Sequence, residues 1–134
     1  MLLGLIDSAR KTMDVGGVGP TNRFGRVRAC TQPRVRVRVV MSLPDKTESS
    51  YEGLTQLSRS GVQVRTVKSP DIHSKSILVD GRRAYIGSIN FTATSMDQNR
   101  ELGVLTTSPE VLKPLGAAFL QDWAKGTPFK AAAK

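Results

Sequence analysis

The sequence predicts an α/β fold in which one mixed β-sheet is flanked by helices. The first half of the chain alternates a strand pattern, an amphipathic helix pattern and a second strand pattern, as a parallel crossover does. The second half holds two apolar runs joined by Asp80-Gly81, a dipeptide that favours a tight antiparallel hairpin. Because 134 residues suffice for one hydrophobic core but not for two, we predict a single domain over residues 1–134.

Three elements are predicted in the first half of the chain. Residues 2–12 place their leucines on one helical stripe, which predicts a helix. Residues 34–41 alternate apolar and basic side chains, as a half-buried strand does. Residues 47–59 form an amphipathic helix pattern that Gly61 ends as a C-terminal cap. In the strand, the inward-facing residues are Val35, Val37 and Val39, and the outward-facing residues are Arg34, Arg36 and Arg38.

The second half is predicted to consist of strands and a closing helix. The predicted strands are 62–67, 72–79, 83–89 and 101–107. Pro109 is suited to the first turn of a helix, and apolar residues recur after it at helical spacing through Trp123. These elements complete the mixed sheet.

Residues 15–33 fit no regular element. Three glycines precede Pro20, and apolar residues show little periodicity in this stretch. We therefore predict an atypical, irregular segment between the opening helix and the 34–41 strand.

The net charge of +9 favours anionic partners. Six arginines lie in a stretch without acids between Asp14 and Asp45: Arg23, Arg26, Arg28, Arg34, Arg36 and Arg38. A cationic surface attracts nucleic acid or acidic lipid head groups. The alternative is a solvated basic face that keeps the protein soluble.

Several classes of protein are excluded by composition. One histidine and one cysteine, Cys30, provide neither a disulfide nor the ligands of an ordinary zinc site. No apolar run approaches the roughly 18 residues that cross a bilayer. The opening residues 1–10 lack the basic region of a signal peptide. We therefore predict a cytoplasmic protein without a transmembrane segment.

The run HSKSILVDGRRAYIGSIN carries the residues suited to phosphodiester chemistry. Its fixed positions are His73, Lys75, Asp80, Gly87, Ser88 and Asn90. Residues i and i+2 of a strand face the same way, so His73 and Lys75 project together, as Ser88 and Asn90 do on the next segment. A neutral imidazole is a competent nucleophile, and the ammonium, hydroxyl and amide are donors for the charge on a reacting phosphate. Gly87 would let the backbone approach that phosphate closely.

This spacing resembles the H-x-K-x4-D-x6-G-S-x-N signature of the phospholipase D superfamily. The resemblance implies a phospholipase D-like half-domain and a phosphodiesterase that needs no cofactor and no metal. It implies that His73 attacks phosphorus to form a covalent phosphohistidine, and that Glu101 holds the second ring nitrogen of His73. A second histidine must protonate the leaving oxygen, so the resemblance also implies a homodimer or a second motif-bearing half.

Alternatives remain for the site and for the function. Asp80 is predicted as a catalytic residue, but Asp-Gly is also good turn chemistry by itself. The substrate is a phospholipid head-group ester or a nucleic acid, and an arginine patch continuous with the His73 cleft would favour nucleic acid. The other possibility is a catalytically silent remnant or phosphate-binding module, which the unusual 15–33 segment supports.

Overall fold

A computed structural model describes residues 2–17, 34–42, 48–69, 72, 75–87 and 102–130. Within them lie three helices, α1 (Leu2–Asp7), α2 (Glu48–Arg59) and α3 (Pro109–Lys125). The strands are β1 (Thr12–Gly16), β2 (Arg36–Ser42), β3 (Gln63–Val67), β4 (Lys75–Val79), β5 (Arg83–Gly87), β6 (Gly103–Thr106) and β7 (Thr127–Pro128). None of the helices in these ranges is long and apolar enough to span a bilayer.

The strands form one sheet in the order β6-β5-β4-β1-β2-β3-β7. β1 pairs in parallel with β2, and β2 pairs in parallel with β3. The remaining pairs are antiparallel, including the β4–β5 hairpin and its neighbour β6. The predicted α/β class with a mixed sheet and flanking helices is therefore confirmed.

The central strand β1 was not predicted from the sequence. The helix expected over residues 2–12 ends at Asp7, and β1 begins five residues later. Met13 and Val15 are fully buried, while the Asp14 carboxylate between them is paired with a cation from β2. A five-residue strand that contains an acid and ends in glycine shows little alternation of apolar and polar residues, so the sequence pattern did not predict it.

The segment predicted to be irregular therefore begins with regular structure. Val15 and Gly16 belong to β1, and Gly17 has a positive φ of 74° that suits glycine. Residues 18–33 lie outside the described part of the chain.

Both faces of the sheet are covered. One face, with Val37 and Val39 of β2, packs against α1 and α2 in the main core. The other face packs against α3 through Leu112 and Phe119. The inward orientation predicted for Val35, Val37 and Val39 is confirmed, since all three are buried.

Arg38 corrects the prediction that three arginines of β2 face solvent. Its guanidinium donates to both carboxylate oxygens of Asp14, at 2.7 and 2.8 Å. It also lies 5.1 Å from the ring centre of Phe119 and 5.3 Å from that of Trp123. Because α3 covers this face, Arg38 lies beneath aromatic rings, whereas Arg34 and Arg36 are exposed.

The predicted end of α2 is confirmed. Gly61 adopts a φ of 89°, and the Val62 N–H donates to the Leu57 carbonyl at 3.2 Å, which is the Schellman pattern. Leu54 and Leu57 are buried on the core side of the helix, but Tyr51 is 54% exposed.

The predicted hairpin turn between β4 and β5 is also confirmed. Asp80 and Gly81 have φ values of 55° and 66°, as the central residues of a type I′ turn require. The Arg82 N–H closes the turn on the Val79 carbonyl at 3.0 Å.

Candidate active site

The sheet has two ends with different residues. At the end that we name the carboxyl edge, β1, β2, β3 and β5 finish and β4 and β6 begin. At the opposite end, named the amino edge, those four strands begin and the β4–β5 turn lies beside them. In open α/β sheets, ligands bind outside the carboxyl ends of the strands, so the carboxyl edge is the expected place for a site.

Two of the predicted site residues meet at the carboxyl edge. Lys75 is the first residue of β4, and it pairs across the hairpin with Gly87, the last residue of β5. Lys75 is partly buried and shares its face of the strand with the buried residues Ile77 and Val79. Lys75 and Gly87 are therefore the two predicted site residues that the described part of the structure brings together.

The other predicted site residues, His73, Ser88, Asn90 and Glu101, lie outside the described residues. In the chain, His73 stands two residues before Lys75, and Ser88 directly follows Gly87. Their predicted roles therefore stay predictions.

Ser42 anchors the chain just before His73 and was not recognised from the sequence. The hydroxyl of Ser42, at the end of β2, accepts a hydrogen bond from the Ile72 N–H at 2.7 Å. Ile72 also packs against the cluster of Val40, Val67 and Phe119. Ile72, which directly precedes the histidine in the sequence, is thus fixed to the carboxyl edge. A lone serine at a strand end gives no signal of such a role in a sequence.

Tyr85 explains why glycine stands at position 87. The tyrosine is buried, and a Cβ placed on Gly87 would overlap its hydroxyl oxygen. The same Cβ would lie 2.5 Å from the Leu102 carbonyl oxygen and 2.6 Å from the Gly103 Cα. A Cβ on Gly103 would overlap the Tyr85 ring itself. Close packing of the phenol therefore requires both glycines, whatever contact Gly87 makes with a phosphate.

Asp80 lies at the amino edge, at the far end of the hairpin from Lys75. Five residues of extended strand separate the two positions by roughly 16 Å. The Asp80 carboxylate accepts backbone hydrogen bonds from Arg10 at 3.0 Å, Lys11 at 2.7 Å and Thr12 at 2.9 Å. These bonds hold the loop that leads into the central strand β1. The geometry gives Asp80 a structural role, and its predicted catalytic role stays a prediction.

The electrostatics of Asp80 agree with that structural role. Partial burial acts to raise the pKa of the Asp80 carboxyl, but the opposing interactions are together stronger. The N–H donors of Thr12, Lys11 and Arg10 and the nearby charge of Arg83 hold the pKa below its ordinary value of 3.8. The carboxylate that clamps the loop is therefore ionised at neutral pH.

The arginines of β2 do not extend toward the carboxyl edge. Arg34 lies two residues before Arg36, the first residue of β2, both at the amino edge, and Arg38 is paired with Asp14 under α3. These three residues therefore form no patch that reaches Lys75 at the carboxyl edge. The others, Arg23, Arg26 and Arg28, lie outside the described residues.

Comparisons with known proteins give consistent similarities. A family model described as "Cardiolipin synthase, PLD-like domain" matches residues 2–123. The mitochondrial cardiolipin hydrolase of Danio rerio is 36% identical over 70% of this chain and 42% of its own length. A 5'-3' exonuclease of Mus musculus is 28% identical over 94% of this chain and 29% of its own length. The chain thus spans less than half the length of these two relatives.

The fold also has a solved counterpart. The crystal structure of Nuc, a phospholipase D family member from Salmonella typhimurium, matches with a TM-score of 0.86 and 23% identity. The match covers 96% of this chain and 88% of that one. At this identity the similarity establishes the fold.

Proposed function

Because the chain belongs to the phospholipase D superfamily, we propose that it hydrolyses phosphodiester bonds through a covalent phosphohistidine on His73. The observation that carries the proposal is the pairing of Lys75 with Gly87 at the carboxyl edge. This pairing places the strand that follows His73 beside the strand that leads into Ser88. The described residues of the two halves of the motif, Lys75 and Gly87, thus lie side by side at one end of the hairpin.

The proposed chemistry uses side chains alone. A ring nitrogen of His73 attacks phosphorus, the bond to the leaving oxygen breaks, and a proton from a second histidine neutralises that oxygen. Lys75, Ser88 and Asn90 donate to the equatorial phosphate oxygens, whose negative charge grows in the transition state. Glu101 accepts a hydrogen bond from the other nitrogen of His73 and stabilises the positive ring. Water, deprotonated by the second histidine, then releases the phosphate, and no metal takes part.

The second histidine comes from a second copy of the chain or from a second motif-bearing half. Strand β6 supports such an assembly, because it is one of the two outermost strands of the described sheet and begins at the carboxyl edge. Its region exposes Leu102, Val104 and Leu105 by 82%, 60% and 43%. An edge strand with exposed apolar residues is a surface that pairs with another chain. A twofold homodimer would bring the two sites together.

Two substrate classes fit the site, a phospholipid head-group ester and a nucleic-acid phosphodiester. The relatives include a cardiolipin hydrolase and an exonuclease, one from each class. A cytoplasmic location is part of the proposal.

A catalytically silent remnant or phosphate-binding module is the alternative. It is supported by the unusual glycine-rich composition of residues 15–33. The regular pairing of β1 at the centre of the sheet weighs against a damaged core.

Turnover of a soluble bis-aryl phosphodiester separates the two functions. The enzyme should act in excess EDTA and lose activity in His73→Ala. Mixing wild type with His73→Asn should give dimers with far less than half of the wild-type activity, since each site needs both histidines. Activity that requires added magnesium or zinc, or that persists in His73→Ala, would contradict the mechanism. A folded protein without turnover at any concentration would support the silent module.

A further inference from the structure

The amino edge gathers basic residues from three loops that the fold joins by backbone contacts. The first loop, with Arg10 and Lys11, donates to the Asp80 carboxylate in the β4–β5 turn. The Lys11 carbonyl accepts a hydrogen bond from the Arg36 N–H at 2.9 Å, which ties the start of β2 to the same place. The loops are therefore held side by side.

Six cations stand on these loops: Arg10, Lys11, Arg34, Arg36, Arg82 and Arg83. The side chains of two of them are partly engaged by the protein, since Arg10 donates to the Asp7 carbonyl at 3.0 Å and Arg83 to the Ser8 carbonyl at 3.3 Å. Asp7 and Asp80 are the acids on these loops and on the helix end beside them. The local charge is thus strongly positive.

The other four cations, which we name the amino-edge cations, are Lys11, Arg34, Arg36 and Arg82. All four are exposed, and none makes a side-chain hydrogen bond or ion pair with another residue in the described ranges. They come from β2, from the loop before β1 and from the β4–β5 turn. In the sheet order, β5, β4, β1 and β2 are consecutive, so this row of loops extends about 15 Å across strand ends spaced about 4.8 Å apart.

The exposed side chains of the amino edge indicate which kind of polyanion this surface would bind. Sequence-independent binding to nucleic acid relies on Lys and Arg contacts to phosphates, which are spaced along a rod of high charge density. A membrane-surface site also inserts large apolar side chains into the lipid. None of the amino-edge loops contributes one. The exposed large apolar residues of the described ranges stand on or directly before α2, α3 and β6 instead.

We propose that the amino edge binds the phosphate backbone of duplex nucleic acid through Lys11, Arg34, Arg36 and Arg82, without reading its sequence. This surface lies at the opposite end of the sheet from Lys75, so it is a docking surface rather than part of the reacting site. A bound duplex would leave the carboxyl edge open. The inference does not depend on the proposed function, because it requires only this charged surface.

The test is fluorescence anisotropy of a labelled 20-base-pair DNA duplex as a function of salt concentration. The variant Arg34→Gln/Arg36→Gln/Arg82→Gln removes three charges from the amino edge. Each lost phosphate contact should make the slope of log affinity against log salt shallower by about 0.9, so three contacts reduce it by about 2.7. Low-salt affinity should fall at least tenfold for duplexes of unrelated sequence, whereas turnover of a soluble phosphodiester should not change.

The matched control for the double variant Lys11→Gln/Arg82→Gln is Lys68→Gln/Lys125→Gln, which removes two exposed charges outside the amino edge. Its DNA affinity and salt slope should stay close to those of the wild type. Equal losses in these two double variants would overturn the proposal, because binding would then follow net charge alone. Undetectable DNA binding by the wild type at low salt would also overturn it, as would binding to phosphatidylglycerol vesicles that DNA does not compete.

If the arginine triple variant does not fold, Lys11→Gln/Arg82→Gln replaces it, since both positions lie in loops. The expected decrease in slope is then about 1.8. An unchanged slope would contradict the proposal. Loss of catalysis in any variant leaves the binding measurement intact, so the two proposals fail separately.

Discussion

The carboxyl and amino edges of the sheet are joined by one hairpin, and a single sequence motif supplies residues to both. Lys75 and Gly87 are paired at the carboxyl edge, whereas Asp80 occupies the turn at the amino edge. Four residues between Lys75 and Asp80 carry the chain down β4, and six residues between Asp80 and Gly87 turn it and return it along β5. The spacing between these motif residues therefore corresponds to the length of the two hairpin strands.

The positions of Lys75 and Asp80 at opposite ends of the hairpin indicate that residues of one motif need not have the same role. At the carboxyl edge, Lys75 and Gly87 are paired, and these are the residues of the motif next to which the histidine and the serine stand in the sequence. At the amino edge, Asp80 holds three backbone N–H groups of the loop before β1. The proposed chemistry belongs to the carboxyl edge, whereas Asp80 at the amino edge holds the loop that leads into the central strand.

The largest expected difference between the edges is in turnover. Lys75→Ala should reduce turnover of a small phosphodiester by on the order of 10²–10³, because a donor to the developing phosphate charge is lost. The matched control is Lys68→Ala, an exposed lysine that follows β3 at the same edge. It should retain nearly full turnover. Equal effects of the two substitutions would contradict the assignment of Lys75.

A second comparison tests whether the packing of Tyr85 explains the glycine at position 87. Gly87→Ala and Gly103→Ala should each destabilise the protein by about 1–3 kcal/mol, because both introduce a methyl group into space that Tyr85 fills. Denaturant unfolding measures both costs. In a Tyr85→Ala background the cost of Gly103→Ala should fall sharply, since the three atoms nearest to an added Cβ at Gly103 belong to Tyr85. The cost of Gly87→Ala should persist there, because backbone atoms of Leu102 and Gly103 also crowd it. The same response at both positions would show that this packing explanation is wrong.

Asp80 should affect stability more than chemistry. Asp80→Asn should lower the free energy of unfolding by about 1–2 kcal/mol, because a charged acceptor of three backbone hydrogen bonds becomes a neutral one. Turnover per folded molecule should stay within a few-fold of the wild type. The control, Asp7→Asn, changes an exposed acid near the same edge and should cost less than about 0.5 kcal/mol. Unchanged stability with lost turnover would restore the catalytic role for Asp80.

The smallest expected effect is in acid unfolding. Since the pKa of Asp80 is lowered in the folded protein, its ionised form stabilises the fold at pH values above the ordinary pKa of 3.8. That contribution should decline as the pH falls below 3.8 and vanish below the folded-state pKa. Unfolding curves of wild type and Asp80→Asn should therefore converge at low pH. A stability difference that stays constant down to strongly acidic pH would count against the loop clamp.

The mixed sheet, the hairpin and the cap at Gly61 could be predicted from the sequence because each has a strong local signal. Strand β1 could not be predicted, because the acid at its centre depends for its burial on a distant partner, Arg38. Arg38 was predicted to face solvent, since the alternation in β2 does not show that α3 covers the second face of the sheet. Pairings between distant segments, such as Asp14 with Arg38 or Ser42 with Ile72, have no local pattern from which to be predicted.

The same limit applies at the carboxyl edge. The motif predicted that Lys75 and Gly87 belong to the site. The packing of Tyr85 over two glycines could not be predicted, because it depends on which strand pairs with β5. In the structure that strand is β6, and Gly87 pairs with Gly103.

Trapping a covalent intermediate tests most directly whether the carboxyl edge is a phosphodiesterase site. A phosphodiester labelled on phosphorus is mixed with the protein, the reaction is quenched with alkali during turnover, and tryptic peptides are separated. Acid-labile label should appear on the peptide spanning residues 69–75, which contains His73, and should be missing in His73→Ala. Acid-stable label on a serine side chain, or rapid turnover without any labelled peptide, would contradict the proposed reaction.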